Sequence, residues 1–327
     1  MIRISAGTSH QLGYRKINTD VLPTTAYLLT GEKCFFNCGF CPQSQKALSP
    51  SRLLSRITWQ NIELEDMARK IGLASADERI KRVCLQVVSS GEPILELRNA
   101  ANTIKRFADV PLCVSVRVKD VNELKYIAAS GFERISIPLD AASPRVFRET
   151  KGGSWQGAVD MLFTAADLLP GQISTHLIVG LGETEEEMAC ILQQLHDRGV
   201  SIGLFAFTPV PGTPMAGVLP PDIASYRRIQ AFHYLVKEEL INVHQCKFSS
   251  GKLTGYGITR AQLKKYLGDG AAFRTSGCPD CNRPYYNEKP GSVPYNYPRA
   301  LTPDEITAAV NTVLQNLNEE LHLNEEL

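Results

Sequence analysis

The sequence offers little that a membrane or a nucleic acid could hold. Its 35 basic and 34 acidic residues nearly cancel, to a net charge of +1 over 327 residues. No long basic block disturbs that balance, so a polyanion finds no electrostatic footprint. The first residues, MIRISAGTSHQLGYRKINTD, lack the apolar run of a signal peptide. No apolar stretch approaches the length of a membrane span. A cytoplasmic protein is expected, without nucleic-acid or membrane partners. There is no internal repeat, and no cysteine before Cys34.

What is present is a periodic alternation. Thr24–Thr30, Arg82–Val88, Leu112–Val116, Arg134–Leu139, Ile173–Gly180 and Ile202–Thr208 read as apolar strands. Helical patterns follow them, around Ile62–Leu73, Leu95–Phe107, Val121–Ala129, Gln156–Leu168, Glu185–His196 and Ile223–Glu239. Nearly continuous apolar strands are buried on both faces, as in a parallel sheet. Further strands are expected at Gln245–Ser249 and near Ala271–Arg274. The expected fold is α/β: a (βα) barrel of six to eight parallel strands over residues 1–270, complete or with a wide gap. An open doubly wound sheet is the alternative. From 271 to 327 the sequence reads as an extension covering the barrel, not an independent domain. It ends in a helix from Pro303, opened by a capping box of Thr302 and Glu305. The final NEELHLNEEL reads as a solvated helix face. Trp59 and Trp155 read as packing residues at helix starts, and Cys190 as core.

Five of the nine cysteines fall into two tight groups, Cys34, Cys38 and Cys41, and Cys278 and Cys281. In a reducing compartment these are thiols or metal ligands, not disulfides. The first group, in TGEKCFFNCGFCPQSQ, directly follows the first expected strand. In a barrel that loop lies at the C-terminal mouth, where active sites sit. Three thiols suit a structural zinc site only with a partner pair nearby. They also suit a 4Fe–4S cluster with one iron left open to a small molecule.

C-x3-C-x2-C in this setting resembles the radical S-adenosylmethionine (SAM) superfamily. The resemblance implies a 4Fe–4S cluster on Cys34, Cys38 and Cys41, with S-adenosyl-L-methionine on the open iron. One electron then cleaves the sulfonium and releases a 5′-deoxyadenosyl radical. Other segments align with the superfamily's SAM contacts. Phe40 matches a position near the adenine, and Ser90, Gly91 and Glu92 in SGEP match the segment that holds the methionine amine. Asp140 matches a ribose contact. Gly180 and Gly182 in IVGLGETEEE match the glycine turn, and Phe207 in FAFTPVPG matches the sixth strand. Each also has a plainer reading as an ordinary turn or core residue. The acidic run after Gly182 reads simply as the first turn of a helix, favoured by its dipole.

Within the superfamily the texture is nearest the biotin and lipoyl synthase group, which inserts sulfur. Two biotin synthase cluster positions correspond to Cys84 and Cys113. The third is Ser174, the arginine position is Lys247, and the substrate asparagines fall at Ser136 and Pro138. That pattern is broken, so biotin is not the expected product. The tail GCPDCNRPYYNE resembles a component of the two-component, archaeal-type lipoyl synthases instead. This implies a second, auxiliary 4Fe–4S cluster on Cys278, Cys281 and Cys84, with Cys113, Cys246 or Ser276 as further candidate ligands.

The implied activity is that of a radical SAM sulfurtransferase of the lipoyl synthase type. Hydrogen leaves C6 or C8 of a protein-bound octanoyl chain, and sulfur comes from the auxiliary cluster. The implied partners are an octanoylated lipoyl carrier (H protein or lipoyl domain), a second lipoyl synthase component and an electron donor such as ferredoxin. The alternatives are sulfur insertion into another substrate, a one-cluster isomerase or methylase, and a non-catalytic zinc or cluster scaffold. His176 reads more simply as core than as a base. Arg274, Asn282, Arg283, Tyr285 and Tyr286 could order the cluster, recognise the carrier or hold the tail down.

Overall fold

The computed structural model describes residues 1–288, 291–315 and 317. The chain begins with β1 (Ile2–Ser5), then β2 (Thr25–Thr30), a hairpin of β3 (Leu53–Leu54) and β4 (Ile57–Ile62), and β5 (Arg82–Val87). It continues through β6 (Leu112–Ser115), β7 (Arg134–Ser136), β8 (Ile173–Val179) and β9 (Ser201–Ala206). These form one sheet in the order β3-β4-β1-β2-β5-β6-β7-β8-β9. From β2 to β9 every pairing is parallel. Those six strands are the six apolar runs of the sequence. β1 joins the edge antiparallel, as do β3 and β4.

Helices return the chain between the parallel strands, and their apolar spacing explains where they lie. Leu64–Ala76 buries Met67, Ile71 and Ala74 on one stripe. Val121–Ala129 starts where Asp120 accepts from the backbone of Asn122 and Glu123. Glu185–Asp197 and Pro303–Leu314 each open with a complete capping box, the second on Thr302 and Glu305 as the sequence indicates. The acidic first turn of Glu185–Asp197 includes Glu185, whose carboxylate meets the Arg228 guanidinium inside the protein.

Several expectations need correction. Gln245–Ser249 supplies only β10 (Lys247–Ser249), which pairs with β11 (Lys252–Gly255) in a separate hairpin turned at Ser250 and Gly251. Ala271–Phe273 is a single 3₁₀ turn that starts at left-handed Gly270, so no eighth strand forms. The barrel is therefore a six-stranded half-barrel. Trp59 is buried, but in β4 rather than at a helix start, while Trp155 does open the helix Trp155–Leu168. Cys190 is exposed on its helix, not core. The NEELHLNEEL end lies outside the described residues.

The tail occupies the side that the strands leave open. On the β9 side, the Leu204 amide donates to Ser276 Oγ and Asn287 Nδ2 donates to the Ala206 carbonyl. On the β2 side, the Thr24 amide donates to Asn282 Oδ1, and Asn282 Nδ2 donates to the Leu22 carbonyl. Higher up, Arg56 donates to the Glu288 carbonyl.

Candidate active site: two groups of thiols in one half-barrel

The loop after β2 carries Cys34, Cys38 and Cys41 at the C-terminal ends of the strands. Its path is fixed by backbone bonds. The Cys34 amide donates to the Gln43 carbonyl at 2.8 Å, Phe35 to Ser89 at 2.9 Å and Gly39 to Thr150 at 2.6 Å. Gln43 is buried and ties its side chain to Ser51 and Arg3. Gly31 makes the turn into the loop at φ +76; a Cβ there would sit 2.8 Å from the Val88 carbonyl. Burial pushes the Cys38 thiol up to about 11 and Cys41 up to about 12. Bare thiols here stay protonated, and a cationic centre is what would hold them as thiolates.

All three thiols line a cavity of about 240 Å³. Phe40, Asp140 and Phe207 line it too, among the expected SAM contacts. Ser90, Gly91 and Glu92 do not. Ser90 Oγ accepts from the Glu32 amide, Gly91 has φ +55, and exposed Glu92 precedes the helix Pro93–Lys105; Ser89 is the residue of that segment in the lining. Gly180 and Gly182 lie outside the lining as well. They form the turn that Glu183 closes by accepting from the Gly180 and Leu181 amides, and Ile178 lines the cavity before it.

Asp140 stands at φ +67, its amide donating to the His176 carbonyl and its own carbonyl accepting from Ile178. Its carboxylate meets Lys151 Nζ at 2.8 Å, both side chains nearly buried. Nothing local in the sequence distinguishes Lys151 from a surface lysine. His176 also lines the cavity. Burial lowers its pKa to about 4, so its ring is neutral, 3.4 Å from Ser136 Oγ and edge-on to Phe205.

A second group of thiols lies deeper. Cys84 and Cys113 are register partners on β5 and β6. Cys84 is three residues, about 10 Å, below the end of β5. The tail brings Cys278 to 3.7 Å from Cys113 and Cys281 to 3.3 Å from Tyr27 Oη. Cys113, donating to Cys278, holds the latter below the ordinary thiol range; Arg82, Arg134 and Arg283 face it as well. Burial raises Cys84 and Cys281. The other candidate ligands stand apart. Cys246 meets the Asn242 carbonyl near β10, Ser276 Oγ is engaged by Leu204, and Lys247 is exposed on the hairpin. Ser174, by contrast, is buried with its hydroxyl unpartnered.

Among the described residues no group of three or more His, Cys, Asp or Glu converges as for a single metal ion. A cluster binds each thiolate to a different iron, so its ligands stand farther apart than those of one ion. Arg82, Arg134 and Arg283 set positive charge beside Cys278, which suits an anionic group there.

The tail's flanking residues divide by role. Asn282 holds the tail to the start of β2, while Arg283 packs under Phe205 at 3.9 Å and Tyr286 lines the cavity. Tyr285 has φ +56, and Arg274 bridges to Tyr297.

Comparison with known proteins agrees with this architecture. HydG, a maturase of the [FeFe]-hydrogenase, superposes with a TM-score of 0.54 at 12% identity over 67% of this chain and 51% of its own. Methylornithine synthase (PylB) gives 0.50 at 14% identity over 72% and 66%. Biotin synthase of Persephonella marina is 26% identical over 190 residues, 56% of this chain and 54% of that one. Biotin synthase of Christiangramia forsetii is 24% identical over 244 residues, 72% and 63%. The chain thus spans less than two thirds of the length of these curated relatives. The family model of the Radical SAM superfamily matches residues 28–195. With its three-cysteine loop at the mouth of a parallel half-barrel, the chain belongs to the radical SAM superfamily.

Proposed function

We propose that this radical SAM enzyme inserts sulfur into an acyl chain carried on a protein, as a lipoyl synthase component. One observation carries the reading: two groups of cysteines occupy two levels of a single lumen. Tyr286 lines the cavity with the upper group; burial raises its phenol above the ordinary range, and Cys41 and Cys84 both add to that. Bound to Cys34, Cys38 and Cys41 above and to Cys84, Cys113, Cys278 and Cys281 below, two 4Fe–4S clusters with SAM would supply a carbon-centred oxidising radical and a sulfur atom.

The chain's own residues do the rest. Phe40 and Phe207 give the cavity aromatic faces for a purine, and Asp140 offers the carboxylate for a diol. Lys151 holds that carboxylate in place through their 2.8 Å ion pair. Leu29, Val88, Phe205 and the ring of Tyr286 make a lining suited to an alkyl chain, and neutral His176 adds no charge that would repel one. The tail shuts the open side of the half-barrel, which keeps water from a reactive intermediate. Phe35 and Leu48 are exposed on the loops next to the mouth, where a carrier protein would dock. An octanoylated H protein or lipoyl domain, a second synthase component and a ferredoxin-like donor are the partners this reading calls for. C6 and C8 are both compatible with it.

The test is anaerobic turnover of reconstituted enzyme with an octanoyl-lysyl peptide, read by mass spectrometry. A gain of sulfur is expected, alone or with a second synthase component; none in either case removes the lipoyl reading. Cys278→Ala should lose sulfur insertion yet still form 5′-deoxyadenosine. The likeness to biotin synthases favours sulfur insertion into another substrate as the second reading. Dethiobiotin and other aliphatic acids in the same assay distinguish the two.

A further inference from the structure

Arg82, the first residue of β5, is 3% exposed, and all three faces of its guanidinium are engaged. Nη1 donates to Cys113 Sγ at 3.0 Å. Nε donates to the Pro279 carbonyl at 2.9 Å. Nη2 meets Glu133 Oε1 at 2.9 Å. Pro279 lies between Cys278 and Cys281, so one side chain joins the barrel's pair of thiols to the tail's pair. A planar fork can serve three such directions at once, whereas an ammonium cannot hold the same geometry.

We propose that Arg82 is the positioning residue of the lower thiol group, acting both as counter-cation to its cluster and as the latch that keeps the CxxC turn docked on β5. The proposal rests on the reading of Cys84, Cys113, Cys278 and Cys281 as a cluster site.

The physical argument is one of charge. A cubane on four thiolates is an anion, and a buried anion needs a charged or hydrogen-bonded partner. Arg82 is the cation that touches a ligand sulfur directly. Hydrogen bonds to the sulfurs and net charge nearby set the reduction potential of such a cluster. Glu133 is 46% exposed and draws part of the Arg82 charge toward solvent. A cluster held there would complete, with Arg82 and Glu133, a row of alternating charge from lumen to surface. Removing its two protein members should move the potential in opposite directions. The latch also has work to do: Asp280, Arg283 and Tyr285 are non-glycine residues at φ +59, +37 and +56, a run of strained backbone that the docked turn must hold.

The experiment uses the full chain, reconstituted anaerobically, with a redox titration of both clusters followed by electron paramagnetic resonance. The first cluster is the internal reference. Arg82→Gln should shift the auxiliary potential negative and speed loss of its iron to a chelator several-fold. Arg82→Lys should return the potential toward the native value without restoring retention, because charge is kept and the fork is lost. Glu133→Gln, a change at a half-exposed side chain, should shift the potential positive. Native potentials in both Arg82→Gln and Glu133→Gln overturn the proposal. If Arg82→Gln retains no second cluster, the sign in Glu133→Gln decides: a positive shift supports the proposal, and no shift overturns it. If the native chain itself binds about four irons rather than about eight, the cluster reading fails first, and the proposal with it.

Discussion

His176 shows how burial decides what one side chain can do. It lines the cavity half-buried beside Ser136, Phe205 and Gly203, and desolvation lowers its pKa to about 4. The unfolded chain protonates this residue near 6.5, the folded chain only near 4. The stability His176 contributes is therefore present above pH 6.5 and is lost as pH falls toward 4. At pH 5 the loss is about 2 kcal/mol. Urea midpoints at pH 7.5 and 5.0 should show a smaller acid loss in His176→Asn than in the native chain. His196 and His233, hydrogen-bonded to each other at 2.9 Å and also lowered by burial, leave part of the loss in the variant. An unchanged acid loss would mean that His176 is solvated.

At the scale of elements, the tail is held by specific polar anchors beside its apolar contacts, such as buried Phe273, Tyr297 and Leu301. Arg227, on the helix Ile223–Lys237, is buried and donates to the Pro294 and Tyr295 carbonyls, both at 2.5 Å. Its guanidinium also lies 5.4 Å from the Phe273 ring and 5.3 Å from Tyr297. Arg227→Leu leaves the Pro294 carbonyl without its donor and the Tyr295 carbonyl with Gln230 alone, and should cost about 2 kcal/mol. Urea unfolding reads the loss, and faster amide exchange at 293–297 locates it. Exchange confined to other segments would contradict this anchoring role.

For the whole molecule, the lower thiol group spans the chain from Cys84 to Cys281. A cluster there would staple the tail to the barrel, so removing its iron should weaken the docked tail first. Iron-free protein is expected to melt on the order of 5 °C below the reconstituted form. Limited proteolysis should cut it sooner within residues 274–288. Equal melting and equal cleavage in the two forms would mean that the lower thiols carry no metal.

The sequence alone determined what depends on short range. Six apolar runs, each followed by a helical pattern, specify six buried parallel strands, and Cys34, Cys38 and Cys41 lie close enough to be read as one group from spacing. Thr302 with Glu305 marks a helix start for the same local reason. Tertiary structure decided what depends on register and closure. Cys84 and Cys113 become neighbours only through the pairing of β5 with β6. Cys278 reaches Cys113 only because the tail fills the gap that two unformed barrel strands leave. Arg82 and Lys151 had no local signal at all: a charged residue announces a buried role only once the chain has folded around it, when the cost of leaving its charge unpaired selects its partners.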